Sequence, residues 1–250
     1  MIQSIERAIN ILELYHDKEL LGVSEIARSL GIAKTTAHGI IKTLEHYGYL
    51  EKDEETNKYT LGISLLELGT LYMDRLDIKN KSIDYMVKLQ ADTGEAVQLA
   101  TYKQGHIIYI ARSLTNNFMR ISMREGQLTP AYCTATGKVI LANLHNDELD
   151  PYIKNIKFEK RTPNTISNTL DLIEELKLTR ERGFSIDNEE NEIGIKGIGM
   201  PIFDLKGKPI AAISLGCMAE EFHPQYIKTL VPKLQNTVQL ISKKLGYQEK

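Results

Sequence analysis

Hydrophobic positions in the first quarter of the chain recur with the period of short helices, punctuated by glycines and polar runs. In GVSEIARSLGIAKTTAHGIIKTLEHYGYLEKD, residues 22 to 53, apolar side chains fall at Ile26, Ala27 and Leu30, then at Ala37, Ile40, Ile41 and Leu44. The second set is spaced i, i+3, i+4, i+7, which is one buried stripe of a helix. Gly31 stands where the chain must turn between two helices, and Gly48 where the second must stop. Lys34, Thr35, Thr36, His38 and Lys42 are left on the solvent side. Small donors and a cation at the start of such a helix suit the major groove of DNA, so the segment reads as a helix-turn-helix. Upstream, SIERAINILELYHD sets Ile5, Ala8, Ile9, Leu12 and Tyr15 on one helical stripe, with Ser4 as the expected N-cap. Downstream, residues 49–52 and 58–61 are strand-like runs around the polar turn DEETN, a hairpin wing. The competing reading is a three-helix bundle that makes protein contacts.

The pattern changes twice more. LGISLLELGTLYMDRL, within residues 61–76, carries Leu65, Leu66, Leu68, Leu71 and Tyr72, too apolar for a free linker and suited to pairing with its counterpart in a dimer. A helix docked on its own domain is the alternative. From residue 77 onward, amphipathic helices alternate with strand-like runs. IKNKSIDYMVKLQADTG reads as a helix stopped by Gly94, and EAVQLATYKQGHIIYIARSL as two strands around a Gln104-Gly105 turn. FMRISMR reads as a third strand, TATGKVILANL as a helix behind Thr134, and SNTLDLIEELKLTRERGF as a helix capped by Ser167 or Asn168. Two strands around Lys206-Gly207 and a last helix from about Pro224 to Leu245 complete the chain. The expected class is α+β in two domains: residues 1–61 a winged helix-turn-helix, 62–76 a linker helix, and 77–250 an antiparallel-rich α/β domain.

Composition narrows the function classes. With 250 residues, 42% hydrophobic and 26% charged, the chain is an ordinary globular protein with room for a second domain. No apolar run approaches the ~18 residues of a membrane span, and a signal-peptide pattern is lacking, so a cytoplasmic protein is expected. Two cysteines, Cys133 and Cys217, are expected to be reduced. The formal net charge is −2, and residues 1–60 hold seven Lys and Arg against ten Asp and Glu. Attraction to DNA must therefore come from local placement of Arg28, Lys34, Lys42 and Lys58.

Most catalytic and cofactor signatures fail on spacing. In ATGK, residues 135–138, Val139 follows the lysine where a phosphate loop needs Ser or Thr. GIKGIG lies within a strand pattern and opens no helix. Neither a nucleophile elbow nor a zinc spacing is present, and Cys133 has merely His145 nearby in sequence. No cofactor is expected. What remains is a sensing pocket: Thr134, Ala135, Thr136 and Gly137 open a helix whose free N–H groups favour a carboxylate. Asp187 follows a short strand and Ser214 lies on a later one. The competing roles are a turn-capping carboxylate for Asp187 and a strand hydroxyl bonded to its neighbour for Ser214.

Taken in order, SIERAINILEL, VSEIARSLGIAKTTAHGIIKTLEHYGYL, KYTLG, LTPAYCTATGKVILA and GFSIDNEENEIGIKGIGMPIFDLKGKPIAAISLG resemble the IclR family of bacterial transcription regulators over nearly the whole chain. The resemblance implies a winged helix, a linker helix and a GAF-like α/β effector domain. It also implies homodimers, often paired into tetramers, that bind operator DNA and respond to a small metabolite, commonly a carboxylic acid. By the same resemblance the ligand positions are Ala135 and Thr136, Asp187, Ile195 and Gly197, and Ser214 and Gly216, with wall positions at Phe118, Ile121 and Thr129. The sequence departs from the family at Gly216, where some relatives carry a second serine, and at Thr129, where an aliphatic is expected. A further departure is Gly39, where Arg is frequent in the DNA-reading helix. A small hydrolase or transferase built on the second domain is the alternative function, and a thiol or metal sensor using Cys133 and Cys217 is an alternative input.

Overall fold

A computed structural model describes residues 2–113 and 124–248. Phe118, Ile121 and most of the expected FMRISMR strand lie outside the described residues. The chain divides into two compact units, Met1–Arg75 and Leu76–Lys250.

In the first unit, α1 (Gln3–Glu13), α2 (Val23–Leu30) and α3 (Lys34–His46) precede a hairpin of β1 (Leu50–Lys52) and β2 (Tyr59–Leu61). The core is the one the apolar spacing requires: Ile11, Tyr15, Leu21, Ile26, Ala27, Ala37, Ile41, Leu50 and Tyr59. Gly31 ends α2 in the left-handed region at φ 62°, releasing the chain into the turn before α3. Glu25 reaches back to the Gly22 N–H at 2.7 Å and satisfies one orphan donor at the start of α2. The expected Ser4 cap is not used. The helix begins two residues earlier, at Gln3, behind Ile2, whose side chain cannot accept a bond. Leu21 and Tyr59 exchange backbone bonds of 3.0 and 2.9 Å, which ties the wing to the segment before α2.

Helix α4 (Ile63–Asp74) follows the wing directly. Its first turn is fixed to this unit by three bonds: Ser64 Oγ donates to the Tyr47 carbonyl, Ser64 N–H to Gly48, and Ile63 N–H to Glu51. Gly62 is required here, because a Cβ would lie 2.2 Å from the Gly48 carbonyl oxygen. Beyond that turn Leu66, Leu68, Leu71 and Tyr72 are exposed.

The second unit contains a six-stranded antiparallel sheet in the order β5-β4-β3-β8-β7-β6. Its strands are β3 (Ala96–Lys103), β4 (His106–Ser113), β5 (Leu128–Pro130), β6 (Ser185–Asn188), β7 (Ile195–Phe203) and β8 (Pro209–Met218). Helices α5 (Asp77–Thr93) and α9 (Pro224–Lys244) cover one face, and α6 (Ala135–Asn143) lies on the other with α8 (Thr169–Arg182) outside it. Asn168, one of the two candidates, caps α8 by accepting from the Asp171 N–H at 3.0 Å. Helix α7 (Asn146–Asn155) and strand β5 were not anticipated. Pro151 inside α7 and the three-residue length of β5 explain why neither pattern announces itself. This is the GAF-like α/β architecture.

Candidate functional site

Helix α3 presents the polar surface expected of a reading helix. Lys34, Thr35, His38 and Lys42 are exposed, and Thr36 is half-buried. With about 3.6 residues per turn, the ridge opposite Ala37 and Ile41 runs through Thr35, Gly39, Lys42 and His46. Gly39 thus sits mid-ridge, and nothing lies within 4 Å of where its Cβ would be. The fold does not demand glycine there. Two of the cations are already engaged: Lys42 pairs with Glu45 at 2.7 Å, and the half-buried Lys58 with Glu25 at 3.2 Å. Lys34 takes part in no ion pair among the described residues.

The second site grows from the start of α6. Thr134 adopts an extended backbone and its Oγ accepts from the Gly137 N–H at 3.0 Å, closing the N-cap. The N–H groups of Ala135 and Thr136 remain as first-turn donors without an intrahelical partner. Gly137 lets the helix start sit on the preceding turn, since a Cβ would come within 2.2 Å of the Ala131 carbonyl oxygen. Gly199 on β7 likewise allows the Ala135 backbone to rest on the sheet, where a Cβ would stand 2.7 Å away.

Strand register then sets what faces this helix end. Asp187, Gly197, Gly216 and Ala96 form one row across β6, β7, β8 and β3. Gly199, Ser214, Gln98 and Arg112 form the next, across β7, β8, β3 and β4. The first row has almost no side chains at its centre, which leaves space. The cavity between α6 and these rows is lined by Gln98, Tyr109, Thr136, Asp187, Gly197 and Ser214, with Thr134, Ala135, Ile195, Lys196, Leu215 and Gly216 completing it. Seven expected ligand positions (Ala135, Thr136, Asp187, Ile195, Gly197, Ser214 and Gly216) are thereby brought together. Thr129 is not among the lining residues; it is buried on edge strand β5 opposite Ile107, on the same sheet face as Tyr109. Gln98, Tyr109 and Lys196 were not singled out in the sequence. Gln98 could have been, as a polar residue in the apolar alternation of EAVQLATY.

The cavity is tight. It offers ≈ 20 Å³ to the centre of a water, about what one water needs, so an organic ligand requires it to widen. Wider grooves of ≈ 720 and ≈ 620 Å³ lie along α9 and α8, but they are open and lack the convergence of helix N–H groups and hydroxyls.

Electrostatics single out Asp187. Burial, reinforced by Glu190, pushes its carboxyl up to about 7, although Lys138 and the backbone N–H groups of Glu190 and Asn191 act the other way. Its Oδ1 accepts from the Glu190 N–H at 2.8 Å, so the turn-capping role is present as well. Beneath it lies a buried ion network. Lys138, 1% exposed, meets Glu190 and Glu175, and Arg182 meets Glu175. These two cations and two anions balance, leaving no net charge to offset an ionised Asp187. Ser214 Oγ donates to Gln98 Oε1 at 3.4 Å, the neighbour bond named as its competing role. Thr136 Oγ, on a residue 1% exposed, makes no hydrogen bond of normal geometry, and the Tyr109 hydroxyl is the polar side-chain group nearest to engaging it. Burial pushes the Cys133 thiol up to about 12, so it stays protonated and is no nucleophile near neutrality. Among the described residues no group of His, Cys, Asp and Glu could hold a metal ion, and no helix is long and apolar enough to cross a membrane.

Comparison with known proteins agrees with the two-domain fold. Residues 4–54 match the IclR helix-turn-helix domain, and residues 70–243 match the bacterial transcriptional regulator IclR C-terminal domain. The chain is 31% identical over 248 residues to the HTH-type transcriptional regulator XynR of Escherichia coli (strain K12), covering 99% of this chain and 98% of that one. The crystal structure of the Thermotoga maritima IclR superposes with a TM-score of 0.73 at 33% identity, covering 99% of this chain and 100% of that one. An IclR homologue from Microbacterium hydrocarbonoxydans, complexed with 4-hydroxybenzoate, shares the fold with a TM-score of 0.79 at 21% identity over 97% of this chain and 98% of its own. With the winged helix, the GAF-like domain and both family matches in agreement, the chain belongs to the IclR family and is a DNA-binding transcriptional regulator.

Proposed function

We propose that this regulator is a cytoplasmic, non-enzymatic homodimer, able to pair into a tetramer, that binds a pseudo-palindromic operator and releases or grips it on binding a small organic acid. The carrying observation is the cavity at the start of α6, where the buried Thr136 Oγ, without a hydrogen bond of normal geometry and facing the Tyr109 hydroxyl, lies beside free helix N–H groups. A buried hydroxyl left unsatisfied costs about 1–3 kcal/mol, which an acceptor or donor on a ligand removes. A carboxylate suits the helix end by charge as well. Asp187, at the other end of the cavity, suits a hydroxyl or amine on the same molecule. The 4-hydroxybenzoate held by the Microbacterium homologue has this combination of groups. Ala135, Thr136, Asp187, Ile195, Gly197, Ser214 and Gly216 are the proposed ligand residues.

On the DNA side we assign Lys34, Thr35, Thr36, His38, Lys42 and Lys58. Because Lys42 and Lys58 are shared with glutamates, Lys34 is expected to carry the largest single phosphate contribution. Lys34→Ala should weaken binding to all sequences alike and reduce the slope of log affinity against log salt by about 1. Fluorescence anisotropy on a site selected from random DNA reads this. An unchanged slope would place Lys34 off the DNA. With glycine at position 39, no side chain there can make the ~1–3 kcal/mol contact to guanine available to Arg, which leaves base reading to its neighbours.

Dimerisation is assigned to α4, whose Leu66 and Tyr72 are both 65% exposed. A double change, Leu66→Glu with Tyr72→Glu, should shift the protein to monomer in sedimentation velocity and abolish cooperative operator binding. A double variant that stays dimeric rules out α4 as the contact.

A further inference from the structure

We propose that Arg112 supplies the positive charge that receives the effector's carboxylate, reaching it along the row Arg112–Gln98–Ser214 on the sheet face beneath α6. The assignment rests on the organic-acid reading above and completes it. An anion entering this cavity meets two helix N–H groups and hydroxyls, but also Asp187. Buried carboxylates need a paired cation as well as dipoles. Of the two lysines nearby, Lys138 is held by Glu190 and Glu175. Lys196, which alternates with the cavity-facing Gly197 on β7, directs its ammonium to the other sheet face, 3.8 Å from Glu189.

Arg112 is placed differently. On β4 it pairs with Gln98, which pairs in turn with Ser214 on β8. Side chains of directly paired residues share a face, and the bond from Ser214 to Gln98 shows that these two do. The irregularity between Leu99 and Ala100 keeps Tyr109, which lines the cavity, on this face as well. Arg112 stands just outside the residues that line the cavity, beyond Gln98. Two strand spacings, roughly 10 Å, separate it from Ser214, a span an extended arginine and a carboxylate cover together once the cavity widens. Its Nε is buried and without a hydrogen-bond partner, and no ion pair among the described residues includes Arg112. Arg112 is half-buried, and partial burial lowers the guanidinium's pKa, with Glu125 and Tyr109 opposing. A planar fork of donors with one already desolvated is a carboxylate receptor.

The test compares carboxylates with their primary amides as stabilisers of the full-length protein in thermal unfolding, at fixed ionic strength. The probes are acetate, pyruvate and 4-hydroxybenzoate, each against its amide, on the parent, Arg112→Gln, Arg112→Lys and Thr136→Val. At least one carboxylate should stabilise the parent over its amide. Arg112→Gln should weaken that acid by about tenfold or more and erase the preference over the amide, since the lost bond is charge-assisted. Arg112→Lys should keep the preference at several-fold lower affinity, because a point charge lacks the fork. Thr136→Val should weaken acid and amide alike. An intact preference in Arg112→Gln, with Thr136→Val impaired, overturns the role of Arg112 and leaves the cavity reading standing. If Arg112→Gln does not fold, unchanged affinity in Arg112→Lys overturns it equally. If no carboxylate stabilises the parent, or Thr136→Val has no effect, the organic-acid reading of the cavity fails and the proposal with it.

Discussion

Replacing Lys138 by Met is expected to destabilise the effector domain by about 3–5 kcal/mol near neutral pH, the cost of leaving a buried partner charge uncompensated. Lys138 is 1% exposed and its ammonium lies between Glu190, 5% exposed, and Glu175. Methionine matches its length and packs well, so the loss reports charge rather than volume. Burial already holds the Glu190 carboxyl above its ordinary range, with Lys138 pulling the other way. Removing the lysine raises it further, and the sign follows: a carboxyl with a raised pKa in the fold destabilises increasingly as pH rises, and the penalty shrinks as the group takes a proton. Urea unfolding followed by circular dichroism should therefore show the Lys138→Met deficit narrowing toward pH 5. Adding Glu190→Gln should recover most of it. A single variant as stable as the parent at pH 8 would mean that the network does not depend on this lysine.

Effector affinity is expected to fall with alkalinity, and Asp187 is the reason. Its carboxyl is pushed up to about 7, so it is largely protonated at pH 6 and ionised at pH 8. Protonated, it can bond the far hydroxyl of a bound hydroxy acid without repelling that acid's carboxylate; ionised, it repels the carboxylate. The groups facing it are Glu190 on its own turn, Lys138 on α6, Tyr109 on β4 and Cys133 ahead of α6. Burial raises both the Tyr109 hydroxyl and the Cys133 thiol, so they remain neutral through this range. That leaves Asp187 and Glu190 as the titrating pair. For a carboxylate shown to stabilise the protein, affinity should be flat below about pH 6 and drop by up to about tenfold per unit above pH 7. Asp187→Asn should flatten the profile, because an amide donates at every pH and never ionises. Calorimetric titration across pH 5.5–8.5 decides it. An unchanged pH profile in Asp187→Asn would transfer the effect to Glu190, and a flat parental profile would end it. Ionising Asp187 also opposes folding as pH rises from about 4 toward 7, the same sign for the same reason.

Both effects arise from contacts that no local pattern announces, and the division between the legible and the hidden follows physical lines. The sequence by itself determined the helices and their ends. A 3.6-residue period marks Ala37, Ile40, Ile41 and Leu44 as one stripe, and a glycine in the left-handed region stops α2 at Gly31 and α5 at Gly94. Thr134 at the start of α6 was legible for the same reason, since capping is a bond between residues three apart. The tertiary structure alone decided which distant residues share the cavity. Side chains alternate across a strand, so the face on which Gln98, Tyr109, Asp187 or Arg112 appears depends on pairing register, and one irregularity at Leu99/Ala100 resets it for the rest of β4. Thr129 shows a further case, since its pairing with Ile107 puts it on the same sheet face as Tyr109 but at the edge strand, outside the residues that line the cavity. The pairing of Lys138 with Glu190 spans 52 positions. Sequence records local propensity in neighbouring residues, whereas a charge balance or a shared face depends on chain segments that meet only after the sheet has formed.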